Sequence, residues 1–271
     1  MKLSETNQSE SRQSASAGNL NINEVRIIAI RDLPMVKVGD DIIDQIINAA
    51  SKQGTPLKNK DIVVITQRIF SKAQGLVVPL DDYQPSSFAI EYAERTEKDP
   101  RLVEAVLQES TRIIRQVGGV LITETKHGFK CANAGVDGSN VGGDDLISLL
   151  PKDPDQDCQQ VCDIIKVRLG LDVGVVMTDT FGRPWRHGQT NVAIGVAGMQ
   201  PMRDYVGAND LDGKELRVTT ICVADEIAGS AELVMGKLDA VPAAIVRGYP
   251  FEISRGSASE IVRETPLDLF P

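Results

Sequence analysis

Residues 172–199 read DVGVVMTDTFGRPWRHGQTNVAIGVAGM, and the architecture follows from them. Asp172–Thr180 is apolar on both faces at its centre, the pattern of a buried strand. Its end turns polar at Thr178, Asp179 and Thr180. Gly182 to Thr190 carries Gly, Pro and Gly among charged residues and reads as a loop. Thr190–Met199 resumes the apolar strand pattern. Strands that follow each other this closely, here and through the last third of the chain, point to antiparallel pairing.

Working outward, two periods alternate. Val25–Ile30, Asp61–Phe70, Gly119–Thr125, Phe129–Ala132, Leu216–Ala224 and Ala243–Gly248 read as strands. Asp40–Lys52 carries Ile42, Ile43, Ile46, Ile47 and Ala50, a helical stripe. Ser87–Lys98 and Arg101–Val117 are helical by pattern, separated at Pro100. Asp153–Leu169 is a helix with Asp153 as N-cap and Pro154 at its first position. Asp225–Lys237 is another, and Ser257–Thr265 a weaker terminal one. Gln200–Lys214 is a second long loop, of a length often tied to function. The sum is a mixed α/β (α+β) chain without internal repeats. Residues 1–23 form a polar, Ser-rich segment expected to be disordered, leaving 24–271 as the folded part.

The chain has 271 residues, 38 acids against 29 bases and a net charge of −9. Length alone allows one large or two smaller domains. The acidic balance argues against nucleic acid and anionic lipid as partners. Aromatics at 4% leave few stacking platforms for single strands. No apolar run reaches membrane-spanning length, and Met1–Asn23 lacks the apolar core of a secretory signal. Cys131, Cys158, Cys162 and Cys222 contain no C-x2-C pair and read as buried apolar thiols. A reducing, cytoplasmic setting is expected.

Four polar clusters carry chemistry, while the common nucleotide signatures are absent. Cys131–Asn140 places Asn133, Asp137, Ser139 and Asn140 among small residues. It reads either as hard oxygen donors for Mg2+ or Mn2+ or as an Asx-rich turn. Thr178–Thr190 sets Asp179 and Thr180 at a strand end, followed by Arg183 and Arg186 around Trp185. Arginines so placed suit phosphate or carboxylate, or a surface cation–π contact. Lys72 follows the strand over Ile62–Ile65 and could hold a phosphate, although solvated lysines are the rule. Glu232–Pro242 closes a helix at Gly236 and continues with Lys237, a pattern that ordinary C-capping also explains. His127 and His187 are not the expected base.

These clusters, in this order, resemble the F420-0:gamma-glutamyl ligase family. SKAQG at 71–75, HGFKCANAGVDGSNV at 127–141, residues 172–199, and ADEIAGSAELVMGKLDAVPAAIVRG at 224–248 carry the resemblance. It implies a family-specific α/β fold over 24–271, assembled as an intertwined homodimer. It implies a GTP-dependent ligase forming an amide between L-glutamate and the carboxylate of the deazaflavin precursor, coenzyme F420-0. Mg2+ or Mn2+ is expected, two ions in all, with K+ as helper. By motif match Asp137 and Asp179 hold metal, Thr180 lies beside the second ion, and Arg183 and Arg186 join the two aspartates in catalysis. Leu33, Pro34, Met35, Val36, Gln67, Arg68, Lys72, Asn140, Met235, Gly236, Lys237 and Asp239 align with nucleotide contacts.

The chemistry agrees with that implication. A carboxylate is a poor acyl donor until GTP converts it to an acyl phosphate, which the glutamate amine then attacks. GTP brings about four negative charges, so cations must gather inside an acidic chain. Two positions depart from the family pattern. Asn191 stands where Asp is expected, and Lys237 where archaeal relatives tend to carry Gln near the second metal. A protonated Lys cannot ligate a cation, though it can pair with a phosphate. A paralogue with another acceptor acid, and a non-catalytic GTP-binding module, are the alternatives.

Overall fold

A computed structural model describes residues 24–139, 141–264 and 267–269. The Ser-rich segment 1–23 lies outside the described residues. In chain order the elements are β1 (Arg26–Ile30), α1 (Ile42–Lys52), β2 (Ile62–Thr66), α2 (Gln67–Ala73), β3 (Val77–Pro79), α3 (Ser87–Thr96) and α4 (Pro100–Gln108). Then come β4 (Ser110–Val117), β5 (Val120–Thr125), β6 (Lys130–Ala132), β7 (Leu146–Ser148) and α5 (Pro154–Leu169). The chain continues through β8 (Gly174–Arg183), β9 (Arg186–Ala197), β10 (Met202–Asp204), β11 (Thr220–Cys222), α6 (Val223–Met235) and β12 (Ala243–Arg247).

The central sheet runs β1-β12-β2-β8-β9. Only β2 and β8 are parallel; the other neighbours are antiparallel. Side chains alternate across this sheet into two cores. Val63, Ile65, Val175, Met177, Ile194 and Ile245 face α1 and α5. Ile62, Val64, Val176, Val196, Ala244 and Val246 face α6. Because both faces are covered, IVVIT and AAIVR are continuously apolar rather than alternating. A third core joins α3 and α4 to β5 and β7. The mixed α/β content and the antiparallel pairing in the last third match the sequence expectation.

Close packing of α5 on the sheet depends on Gly195, where a Cβ would lie 2.5 Å from the Pro154 carbonyl oxygen. The helix starts as its sequence predicts, with Asp153 accepting from the Gln156 N–H at 2.9 Å and Pro154 in the first turn. Asp153→Ala should cost about 1 kcal/mol, seen as a lower urea midpoint with unchanged slope.

Several boundaries differ from the sequence reading. The strand expected over Asp61–Phe70 stops at Thr66, and a helix begins at Gln67. Ile69 and Phe70 are buried in the same core as the strand, so hydrophobicity runs across the boundary and hides it. The helix expected over Arg101–Val117 ends at Gln108, and its second half is β4, rich in β-branched residues and paired to β5. The segment Gly182–Thr190 is no loop: β8 and β9 continue as a solvent-facing hairpin paired as far as Arg183 and Arg186. Water on both sides removes the alternation that would have marked those arms. Leu216–Ala224 supplies only Thr220–Cys222, Ser257–Thr265 only a 3-10 turn at Ala258–Glu260, and Gln200–Lys214 contains β10. The three-residue strands β3 and β7 were too short to read.

Candidate active site

The parallel pair decides where the site forms. β1 and β2 run the same way, since each is antiparallel to β12, and β8 is parallel to β2. The carboxyl ends of β1, β2 and β8 therefore share one edge with the start of β12. Ligands in α/β sheets bind outside such carboxyl ends. A cleft of about 810 Å³ lies there. Leu33–Val36 follows β1, Thr66–Arg68 and Lys72 follow β2, Thr178–Gly182 comes from β8, and Gly236–Leu238 precedes β12. Cys131–Asn133, Asp137 and Ser139 form the opposite wall.

That wall is held in place by backbone bonds. Asp137 exchanges N–H···O bonds with Ser148 of β7, at 3.2 and 2.8 Å. Asn133 and Ala134 just before it both take φ of 52°, the left-handed strain common near functional sites. The Asp137 carboxylate accepts from the Ser139 N–H at 2.8 Å and from its hydroxyl at 2.7 Å. Arg68 pairs with the same carboxylate and also donates to the Ser139 carbonyl. Burial pushes the Asp137 carboxyl up, but the Ser139 and Arg68 hydrogen bonds outweigh it and hold it below the usual range.

Asp179 behaves oppositely. Just before it, an extra residue of β9, Ile194, bulges opposite Met177 and Thr178. Burial raises its carboxyl to about 6, against the Thr180 N–H and the charges of Arg68 and Lys237, which pull it down. The two carboxylates are thus pushed apart in acidity by their surroundings. Lys72, one turn after Arg68 on α2, has its pKa lowered by burial and by the Arg68 charge. Cys131 beside the cleft is pushed up to about 12 by burial and the Asp179 charge, so it stays a thiol and is no nucleophile.

A third wall is a hydrogen-bonded series. Lys237 Nζ donates to Thr180 Oγ1, Thr180 Oγ1 donates to Asn191 Oδ1 at 2.8 Å, and Asn191 Nδ2 donates to Glu232 Oε2 at 2.8 Å. Asn191 is 3% exposed.

Most of the residues singled out in the sequence meet in this cleft: Leu33, Pro34, Met35, Val36, Gln67, Arg68, Lys72, Asp137, Asp179, Thr180, Gly236 and Lys237. Others do not. Arg183 and Arg186 sit on the exposed hairpin arms away from the lining, with Arg183 bonded to the carbonyls of His187 and Gly188. Met235 is fully buried in the core beneath α6. Asp239 faces a neighbouring depression lined by Arg26, Ile28 and Leu233. Asn140 lies outside the described residues. His127 stacks on Phe129 with its Nε2 2.9 Å from the Pro151 carbonyl, a structural placement. Glu232 heads the fourth sequence cluster but was given no role of its own there, and it also lines the cleft. Its partner is 41 residues away in sequence, so no local pattern marks it.

Among the described residues no three His, Cys, Asp or Glu side chains converge on one point. Asp137 and Asp179 offer hard oxygens, and the raised pKa of Asp179 marks a carboxylate short of positive charge. That donor set fits a single Mg2+-like ion completed by phosphate oxygens and water. It does not extend to a second ion at Thr180, whose hydroxyl bonds the Lys237 ammonium and Asn191, so that a divalent ion there would meet a like charge at short range.

Fold and cleft together define a mixed α/β protein with a charged pocket at the carboxyl ends of its parallel strands. The chain belongs to the F420-0:gamma-glutamyl ligase family, whose profile matches residues 31–248. It is 45% identical over 249 residues to the coenzyme F420:L-glutamate ligase of Methanothermobacter thermautotrophicus, covering 91% of this chain and 98% of that one. The enzymes of the same name from Methanopyrus kandleri and Methanocaldococcus jannaschii are 41% and 38% identical, covering 87% and 91% of this chain and 93% and 97% of theirs. Among the described residues no helix is long and apolar enough to cross a membrane.

Proposed function

We propose that this chain joins L-glutamate to the carboxylate of coenzyme F420-0 at the expense of GTP, through an acyl phosphate. The observation that carries the reading is the meeting of Arg68, Lys72, Asp137 and Asp179 in one cleft, in a chain of a gamma-glutamyl ligase family. In the reaction the acceptor carboxylate oxygen bonds the terminal phosphorus of GTP and GDP leaves. The glutamate nitrogen then attacks the acyl carbon, phosphate departs, and the ammonium proton passes to solvent.

Phosphoryl transfer of this kind needs positioning and charge neutralisation more than covalent help from the protein. Lys72 and Arg68 supply positive charge on the α2 side. The lowered pKa of Lys72 reflects a partly dehydrated ammonium, which binds phosphate more strongly than a solvated one. Arg68 is already oriented by Asp137 and Ser139, so it loses little freedom on meeting phosphate. Mg2+ or Mn2+ held by Asp137 and Asp179 would supply Lewis-acid neutralisation of the transferred charge. Leu33–Val36 and Gln67 line the side of the cleft assigned to the nucleotide. K+ enters this reading only through the family resemblance, and no residue is assigned to it.

A homodimer belongs to the same reading. Val206, Leu211, Val218 and Ile221 around β10 and β11 are exposed, as is Leu233. An apolar surface of that kind suits cover by a second copy.

The test is direct. With GTP, Mn2+, L-glutamate and coenzyme F420-0, mass spectrometry should find the acceptor one glutamyl residue heavier, with matching GDP. A protein that binds GTP and Mn2+ but forms no adduct would refute the ligase reading. GDP release with a different acceptor acid would point to the paralogue instead.

A further inference from the structure

We propose that the Lys237 ammonium takes the place of a second metal ion, so that this cleft holds one divalent cation per chain. The inference rests on the GTP-ligase reading and deepens it.

The argument begins with donors and acceptors. An ammonium only donates, so Thr180 Oγ1 accepts from Lys237. The hydroxyl has one proton, and Asn191 Oδ1 at 2.8 Å receives it. The Asn191 amide nitrogen must then face Glu232, and it does, at 2.8 Å. The direction of every bond in the series follows from its first member. A cation at Thr180 would have to displace Lys237, because the hydroxyl's remaining lone pair lies within a hydrogen-bond length of the ammonium, where a divalent ion is repelled by a like charge.

Charge points the same way. The series begins on a cation, ends on a carboxylate and passes through two neutral groups, so it is balanced without a metal. Asn191, a neutral amide at 3% exposure, is well suited to such a self-contained series. The Asp137 and Asp179 pair is the opposite case: Asp179 is half-buried on the cleft wall without an equal counter-charge, and its carboxyl is where a cation gains most. Lys237 adds a fixed charge beside that pair, since its charge acts on Asp179. A further divalent ion next to it would meet like-charge repulsion at short range.

The measurement is Mn2+ stoichiometry. The full chain is titrated with Mn2+ in the presence of a non-hydrolysable GTP analogue, and free ion is counted by electron paramagnetic resonance. One bound ion per chain at saturation is expected. Lys237 is exposed, so Lys237→Gln should fold normally, and it should bind two. Two ions on the unaltered chain would overturn the inference. So would one ion on both proteins, because Lys237 would then not be what excludes the second. Adduct formation by the same protein preparations, assayed separately with GTP, L-glutamate and coenzyme F420-0, separates the two readings: two ions with adduct sinks this inference alone, whereas no ion and no adduct sinks the ligase reading with it.

Discussion

Asp179→Asn should lower the ligation rate by about 10³ or more and, in divalent-free buffer, raise the thermal midpoint. Both effects come from one burial. The carboxylate is placed where a cation and phosphate oxygens would complete its surroundings, and without them it is short of positive charge. The folded protein holds its carboxyl at about 6, above the roughly 3.9 of an unfolded Asp. Between those values the folded state keeps a proton that the unfolded state has lost. Stability from this group is therefore greatest below about pH 4 and falls as pH rises towards 6, the reverse of ordinary acid unfolding. At neutral pH the ionised group costs the apo protein about 3 kcal/mol. Asn removes that cost, which corresponds to a gain of roughly 6 °C for a chain of this size. Calorimetry with EDTA at pH 4.5 and pH 7 checks it: the gain should be present at pH 7 and mostly gone at 4.5. An unchanged midpoint at both pH values would contradict the burial argument. Asp137→Asn should behave oppositely, losing stability at neutral pH, since its carboxyl is held down by Ser139 and Arg68.

Arg247→Met should destabilise the protein by about 3–5 kcal/mol. Arg247 closes the far end of the sheet from the cleft. Its Nε and Nη2 grip both oxygens of Asp61 at 2.7 and 2.6 Å, and Nη2 also reaches the Pro56 carbonyl at 2.9 Å. Asp61 is 1% exposed and accepts a further bond from the Lys58 N–H at 2.7 Å. Removing the guanidinium leaves a buried charge that still accepts from the Lys58 N–H but has no counter-charge paired with it among the described residues. Replacing both partners, Asp61→Leu with Arg247→Met, should recover most of the loss. Urea midpoints measure all three proteins. The folded fraction of the single variant should keep its activity, because the pair lies at the end of β2 and β12 opposite the site.

Much of this was readable along the chain. The stripe Ile42–Ala50, the apolar runs of β2, β8 and β12, and the Asp153–Pro154 start of α5 each announce themselves through spacing or local chemistry. The motif residues at 137, 179 and 180 stood out for the same reason. Legibility failed where local pattern and burial part company. Ile69 and Phe70 look like strand because they are apolar, yet Gln67 begins a helix. Gly182–Thr190 looks like loop because it is polar, yet it is a hairpin in water. Met235 and Asp239 belong to the motif but point elsewhere, since Met235 is the last, core-facing residue of its helix and Asp239 lies in the loop beyond it.

The amino-acid sequence alone thus settled the class of fold, the cover on both faces of the sheet and the family, because these rest on periodicity and on long matching motifs. The pairing of Arg68 with Asp137, the depressed carboxyl of Asp137 beside the raised one of Asp179, and the series from Lys237 to Glu232 came only with folding. Each depends on which strands lie side by side and on how much water is left between them. Those are properties of the packed sheet, and no short stretch of chain carries them.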